Sequence, residues 1–208
     1  MQKRCGRFEF FLCFILLLMP LLTHSQTVRE KGELKNGKKE GSWEFFWPDG
    51  KRMAREHYSA GKLEGEALAW YPDGILSQRE NWSDDLLQDS AWYYHPNGKI
   101  HRKGVYNKGS YEGIWTTFFP DGKPEQRGFY HDGLPDGYFI NWFEDGAIKE
   151  EGSYRSGKKD GQFLFYRAGG KGRLEMLANY CGDQPCGEWV WYNRRGKPKT
   201  SGKPSIQD

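Results

Sequence analysis

Gly113-Ile-Trp-Thr-Thr-Phe118-Phe-Pro-Asp-Gly122-Lys-Pro-Glu-Gln-Arg-Gly128-Phe-Tyr130-His-Asp-Gly133-Leu-Pro-Asp-Gly137 is the stretch whose reading decides the fold. Pro120-Asp121-Gly122 reads as a hairpin turn. Proline presets its own φ, Asp bonds its local backbone, and glycine takes the left-handed position closed to most residues. A type I turn closed by such a glycine gives a three-residue loop with a bulge. Residues on either side have strand length and composition. Asp132-Gly133-Leu134 reads as a second turn, so the unit is strand, turn, strand, turn.

The same unit recurs outward in both directions. Taking Gly41, Gly65, Asp89, Gly113, Gly137, Gly161 and Gly187 as position zero, the spacing is 24 residues five times and then 26. Nine residues on stand Gly50, Gly74, Gly98, Gly122, Gly146, Gly170 and Gly196, and five residues on stand Phe46, Trp70, Tyr94, Phe118, Trp142, Tyr166 and Tyr192. A third aromatic column, Tyr58, Trp82, Tyr106, Tyr130 and Tyr154, falls at seventeen, and Tyr180 arrives two residues late. Self-similarity at a fixed short period is the mark of a solenoid or array. The expected fold is all-β, an elongated antiparallel meander of about seven stacked hairpins. One hairpin is marginal in water, so stability should come from neighbouring copies.

With an uninterrupted three-residue loop, the rings at positions five and seventeen share one face with Leu68, Ile140, Leu164 and Val190. That face is the expected core, with Gly104, Gly128 and Gly152 leaving room for rings. The opposite face is expected to carry Trp43, Trp115, Phe139, Phe163 and Trp189, interleaved with Arg55, Arg79, Lys103 and Arg127. These five aromatics are the candidate binding residues, since rings with interleaved Arg make good hot spots. Against this stands the reading that curvature buries this face as well.

The first 25 residues are set apart from the fold. Lys3, Arg4 and Arg7 precede an uncharged apolar run from Phe10 to Leu22, and Thr23-His24-Ser25 supplies small residues at a cleavage site. A run of 13 residues falls short of the ~20 that cross a bilayer as a helix. Residues 1–25 are read as a cleaved signal peptide, with an uncleaved anchor as the alternative, and 26–208 as the repeat domain, the repeats spanning roughly 32–202. The expected location is periplasm, cell surface or outside the cell. Without the leader, Lys+Arg and Asp+Glu stand at 28 and 27, from 31 and 28 in the whole chain. Near neutrality with both signs interspersed argues against nucleic acid. Cys181 and Cys186, in an oxidising compartment, are expected to form a disulfide.

Catalytic signals are weak. His57, His95, His101 and His131 fall at different positions of their units, so no histidine column offers converging metal ligands. No nucleophile elbow, zinc-protease segment or phosphate loop is present. The expectation is a chain that is not an enzyme and takes no cofactor or metal. It would bind an envelope or secreted protein, with glycan as the alternative ligand through ring stacking.

The pattern Gly, strand, aromatic, Pro-Asp-Gly-Lys, strand, Tyr-x-x-Gly-Lys, Gly, clearest at 41–65 and 113–161, resembles the MORN repeat and more closely its bacterial variant, which includes antitoxin-type proteins. The resemblance implies a twisted sheet of stacked hairpins used for protein contacts. Asp85 and Asp89 depart from it where glycines are usual, and Arg167-Ala168-Gly169-Gly170 lacks Pro-Asp.

Overall fold

The computed structural model describes residues 29–169 and 172–202. The proposed leader lies outside the described residues, as does Gly170. Among the described residues all regular structure is β, in 18 strands from Arg29–Lys35 to Pro198–Gly202. All pairings are antiparallel and follow chain order. Lys62–Leu63 and Gly65–Trp70, Leu86–Leu87 and Asp89–Tyr94, and Gln184–Pro185 and Trp189–Tyr192 act as segments of one interrupted strand each, giving the expected meander in one open sheet.

Both turns form as their residues dictate. The Gly122 amide donates to the Phe119 carbonyl at 2.8 Å, and the Phe119 amide donates to the Lys123 carbonyl at 2.9 Å. Pro120-Asp121-Gly122 is therefore a three-residue loop. Gly122 sits at φ 94°, and Asp121 Oδ1 accepts from the Lys123 amide at 2.9 Å. Successive loops are tied together by Lys123 Nζ, which donates to the Glu144 carbonyl at 2.9 Å. The second turn is shorter: His131 pairs with Leu134, and Asp132 and Gly133 both have positive φ, 48° and 80°. Such two-residue turns match the right-handed twist of the flanking strands. Their stacking is also bonded, for the Gly133 amide donates to the Tyr111 carbonyl of the previous unit at 2.9 Å. Glu112, just before position zero, accepts from the Asp132 amide at 3.2 Å, and Glu40, Glu64, Gln88 and Asp136 cap the equivalent turns of other units alike.

The expected assignment of faces is corrected. The loop is three residues long, but the strand after it carries one extra residue: Phe118 pairs with Pro124 while Thr117 pairs with Gln126, leaving Glu125 as a bulge. The same shift recurs at Met53, Ser77, His101, Lys149, Glu175 and Lys199. A one-residue shift sends every later side chain to the other face. Positions two, four, fifteen and seventeen consequently share one face, and positions one, three, five, fourteen and sixteen share the other. The rings at five and seventeen, expected together, lie on opposite sides of the sheet.

The first of these faces holds the core. Trp43, Trp115 and Phe139 are each 5% exposed and Phe163 is 2% exposed. Each ring lies flat over a glycine of the preceding strand: Trp43 over Gly32, Trp115 over Gly104, Phe139 over Gly128, Phe163 over Gly152. A β-carbon at Gly128 would fall 2.0 Å from Phe139 Cε1, so only glycine permits this approach. Tyrosines of position seventeen fit between the rings, mostly edge to face. Tyr106–Trp115, Tyr130–Phe139, Phe139–Tyr154, Tyr154–Phe163, Phe163–Tyr180 and Tyr180–Trp189 have centroids 4.8–5.5 Å apart. Tyr111 bridges Trp115 to Tyr130. Such pairs contribute about 0.5–1.5 kcal/mol each beyond the area they bury. A single-layer sheet thereby builds a core from its own side chains.

The ladder is interrupted where Ala67 and Ala91 hold position two. Glu56 and Glu80 then stand where glycine would. Glu80 is 6% exposed and accepts from the Tyr93 hydroxyl at 2.6 Å, and Tyr93 meets Tyr106 at 3.0 Å.

At the far end Cys181 and Cys186 are joined across the turn Gly182-Asp183, with Cα atoms 5.8 Å apart. The two extra residues of the sixth repeat belong to the preceding loop, where Arg167 bonds to Arg173.

Candidate interaction surface

The face opposite the ladder is open. One row of residues crosses the sheet on it, each paired with the next across neighbouring strands: Arg55, Leu68, Arg79, Trp92, Lys103, Thr116, Arg127, Ile140 and Glu151. The cations are position fourteen of successive units, so they recur every second strand. All four are exposed. The rings of position five, among them Phe118 and Trp142, flank the row and are half-buried. They are held in place because each directly precedes a hydrogen-bonded loop. Further apolar surface lies between them: Ile114 is 49%, Phe129 41% and Tyr138 52% exposed.

A groove of about 640 Å³ runs over the middle of this face, lined by Trp92, Lys103, Ile114, Phe118, Arg127 and Trp142 among others. A smaller hollow beside it is bounded by Ile114, Arg127, Phe129, Tyr138 and Ile140. Charge along the row is uneven. Glu66 engages both Arg55, at 3.4 Å, and Arg79, at 2.7 Å, and the Arg79 guanidinium also lies 5.2 Å from the Trp92 ring centre. Lys103 and Arg127 have no carboxylate partner among the described residues. Beyond them Glu151 accepts from the hydroxyls of Tyr138 at 2.7 Å and Tyr166 at 2.6 Å. Partial burial, then that bond to Glu151, push the Tyr138 hydroxyl up to about 12.

The expected site residues are corrected here. Trp43, Trp115, Phe139 and Phe163 are core, and Trp189 is half-buried in the same ladder with its Nε1 donating to the Asn179 carbonyl at 3.0 Å. The indole of Trp115 is likewise satisfied internally, donating to the Val105 carbonyl at 2.9 Å. None of the five stands on the open face. The bulge moved the cation column, expected beside them, to the other side. In its place the structure brings together Trp92, Ile114, Phe118 and Trp142 with Lys103 and Arg127. A sequence signal for this existed: Gly-x10-Trp or Gly-x10-Phe at Gly32/Trp43, Gly104/Trp115, Gly128/Phe139 and Gly152/Phe163 marks rings that need a bare backbone beneath them.

The histidines take local roles. His95 meets the Phe118 carbonyl through Nε2 at 2.8 Å, and its ring lies 4.5 Å from that of His101. Burial first, and then the neighbouring His95, hold the His101 imidazole below its ordinary value. Glu112, His131 and Asp132 approach within 4.8 Å of one another on the turn edge. Two of the three are already bonded to each other at the turn: His131 Nδ1 lies 3.1 Å from Glu112 Oε1. The Glu112 bond holds His131 above its usual value, and His131 holds Glu112 below its own. No helix among the described residues is long and apolar enough to cross a membrane.

The family model described as MORN repeat variant matches residues 39–60, 93–108, 111–132 and 135–156. No curated protein matches the chain significantly. Among solved structures, a point mutant of S. aureus TarM, in complex with fondaparinux, alpha-GlcNAc-glycerol and UDP, is 15% identical with a TM-score of 0.32, over 49% of this chain and 19% of that one. TarM itself gives 15% identity and 0.31, over 52% and 22%. The GtfA/B complex bound to UDP and GlcNAc gives 14% and 0.24, over 66% and 26%. The chain thus spans about a fifth to a quarter of the length of these structures.

Proposed function

We propose, for a chain built of MORN-variant repeats, that the open face is a protein-binding surface and that the chain works without catalysis, at or outside the cell envelope. The observation that carries the reading is the asymmetry of the sheet. One face satisfies its rings internally, whereas the other leaves Ile114, Phe129 and Tyr138 about half exposed beside Lys103 and Arg127, which have no carboxylate partner among the described residues. Exposed apolar surface rimmed by charge is characteristic of interaction sites. Export rests on the leader-like start of the chain and is compatible with the Cys181–Cys186 disulfide.

The test is capture of envelope proteins and of envelope polysaccharides on the immobilised protein, compared with the double variant Ile114→Glu, Phe129→Glu. Both side chains are exposed, so thermal melts should be close to wild type. Loss of a captured protein in the variant supports the reading, and undiminished capture refutes it. Half-buried Trp92 and Trp142 in one groove also suit sugar stacking. Displacement of the ligand by soluble saccharide would favour that second reading.

A further inference from the structure

Lys103 and Arg127 stand in line across three adjacent strands, with Thr116 between them. Equivalent positions two strands apart are separated by about 9.6 Å at ordinary strand spacing. The groove between them is walled by Trp92, Phe118, Trp142, Ile114 and Pro124, and its lining contains these two cations and no carboxylate. Elsewhere on the row the cations Arg55 and Arg79 share the single carboxylate of Glu66, which halves their net charge. The groove is therefore a stretch of this face where apolar walls coincide with two cations of the row that have no carboxylate partner among the described residues.

We infer that this groove takes an acidic segment of another protein in polyproline II conformation, lying across the strands with an acidic side chain at every third residue. The inference rests on the protein-binding reading of the open face and names its partner. Polyproline II has three residues per turn and rises about 3.1 Å per residue, so residues three apart lie about 9.3 Å apart on the same side. That advance matches the repeat of the sheet to within a few tenths of an ångström. A β-strand laid the same way fails, because residues three apart point to opposite sides. Half-buried rings of position five recur with the same period as the cations, and Phe118 and Trp142 would meet successive prolines. Aromatic-lined grooves are the usual receptors of such preformed, low-entropy segments. Carboxylates meeting Lys103 and Arg127 would set the register and add charge-assisted bonds.

The experiment measures fluorescence anisotropy of the purified protein with a labelled synthetic peptide of six Glu-Pro-Pro units. The comparison peptides carry the same number of glutamates spaced by three prolines, or lysine in place of glutamate. The expected result is affinity for the three-residue spacing that exceeds either comparison by about tenfold or more, and that falls as salt is raised. Lys103→Gln with Arg127→Gln should lower it by a similar factor, and Arg55→Gln with Arg79→Gln by much less. All four side chains are exposed, and the peptide comparison on the unaltered protein depends on no variant. Equal affinity for both spacings, indifference to the Lys103/Arg127 pair, or binding of alginate but not of the peptide would overturn the inference. If the peptide fails while protein capture is still lost in the Ile114/Phe129 variant, only this inference falls. If capture also survives that variant, the reading beneath it falls too.

Discussion

Replacing Gly128 by alanine adds a single methyl group to the centre of the ladder. An added β-carbon would lie 2.0 Å from Phe139 Cε1 and 2.3 Å from both Cδ1 and Cζ. The ring cannot remain where it is, and moving away opens the edge-to-face contacts with Tyr130 and Tyr154, at 5.2 and 4.8 Å. Overpacking of this kind costs about 1–3 kcal/mol. In an ordinary strand the same substitution would be favourable by roughly 0.5–1 kcal/mol, since glycine is the poorer strand residue. The sign of the effect therefore reports the close approach. With a urea dependence of about 1–3 kcal/mol per molar, a loss of ~2 kcal/mol lowers the midpoint by about 1 M. Urea unfolding followed by tryptophan fluorescence and far-UV circular dichroism reads the shift. Phe139→Ala alone should cost about 3–5 kcal/mol. The double variant should cost clearly less than the two together, because the new methyl then meets no ring. A Gly128→Ala midpoint equal to or above wild type, or strict additivity in the double variant, would refute the packing described.

Three further outcomes follow from the same geometry. Trp115→Ala should unfold or strongly destabilise the chain, by about 3–5 kcal/mol in urea titration, rather than remove a ligand contact. Reducing Cys181–Cys186 opens a short loop and should destabilise the hairpin of Leu174–Cys181 and Trp189–Tyr192 by roughly 2 kcal/mol, seen as faster amide exchange in Leu174–Tyr192 with the middle of the sheet unchanged. Burial first of all raises the hydroxyl pKa of Tyr106, Tyr130, Tyr154 and Tyr180 above the ordinary value of about 10. Groups raised on folding stabilise fully below their unfolded pKa and lose that contribution as pH rises through the folded one. Stability should then fall above about pH 10, with tyrosinate absorbance of the folded protein lagging behind that of the urea-unfolded chain.

The hairpins, their turns and the disulfide were legible in the sequence because each rests on local chemistry. Pro120-Asp121-Gly122 can hardly be anything but a tight turn, and Cys181 and Cys186 sit astride another. The division of faces was not, because it depends on one residue per unit that takes no partner. Yet the sequence held a constraint. Carried on without interruption, a three-residue loop and then a two-residue loop would take Trp115 through Arg127 to Tyr138, one residue short of Phe139. A strict 24-residue period therefore needs more than the turns. The extra residue at Glu125 takes Trp115 to Gly128, and a two-residue register shift between Pro135 and Phe139, which leaves the faces unchanged, carries Gly128 on to Phe139. The place of the one-residue bulge that decides the faces is not written in residue type, since Met53, Ser77, His101, Glu125, Lys149, Glu175 and Lys199 have nothing in common. The partnership of rings with bare backbone was the surer guide. Glycine lies eleven residues before Trp43, Trp115, Phe139 and Phe163, and glutamate lies eleven before Ala67 and Ala91. The open face, its groove and the pair Lys103 and Arg127 became visible only once the parity was settled.

That parity is what every functional statement depends on, and hydroxyl-radical footprinting with mass spectrometry measures it residue by residue. Ile114 is 49% exposed beside Trp115 at 5%, and Tyr138 is 52% exposed beside Phe139 at 5%. With each rate normalised to the unfolded chain, Ile114, Phe129 and Tyr138 should stay reactive on folding while Trp115 and Phe139 become strongly protected. Protection of Ile114 and Tyr138 with Trp115 and Phe139 left reactive would turn the sheet inside out and contradict the account.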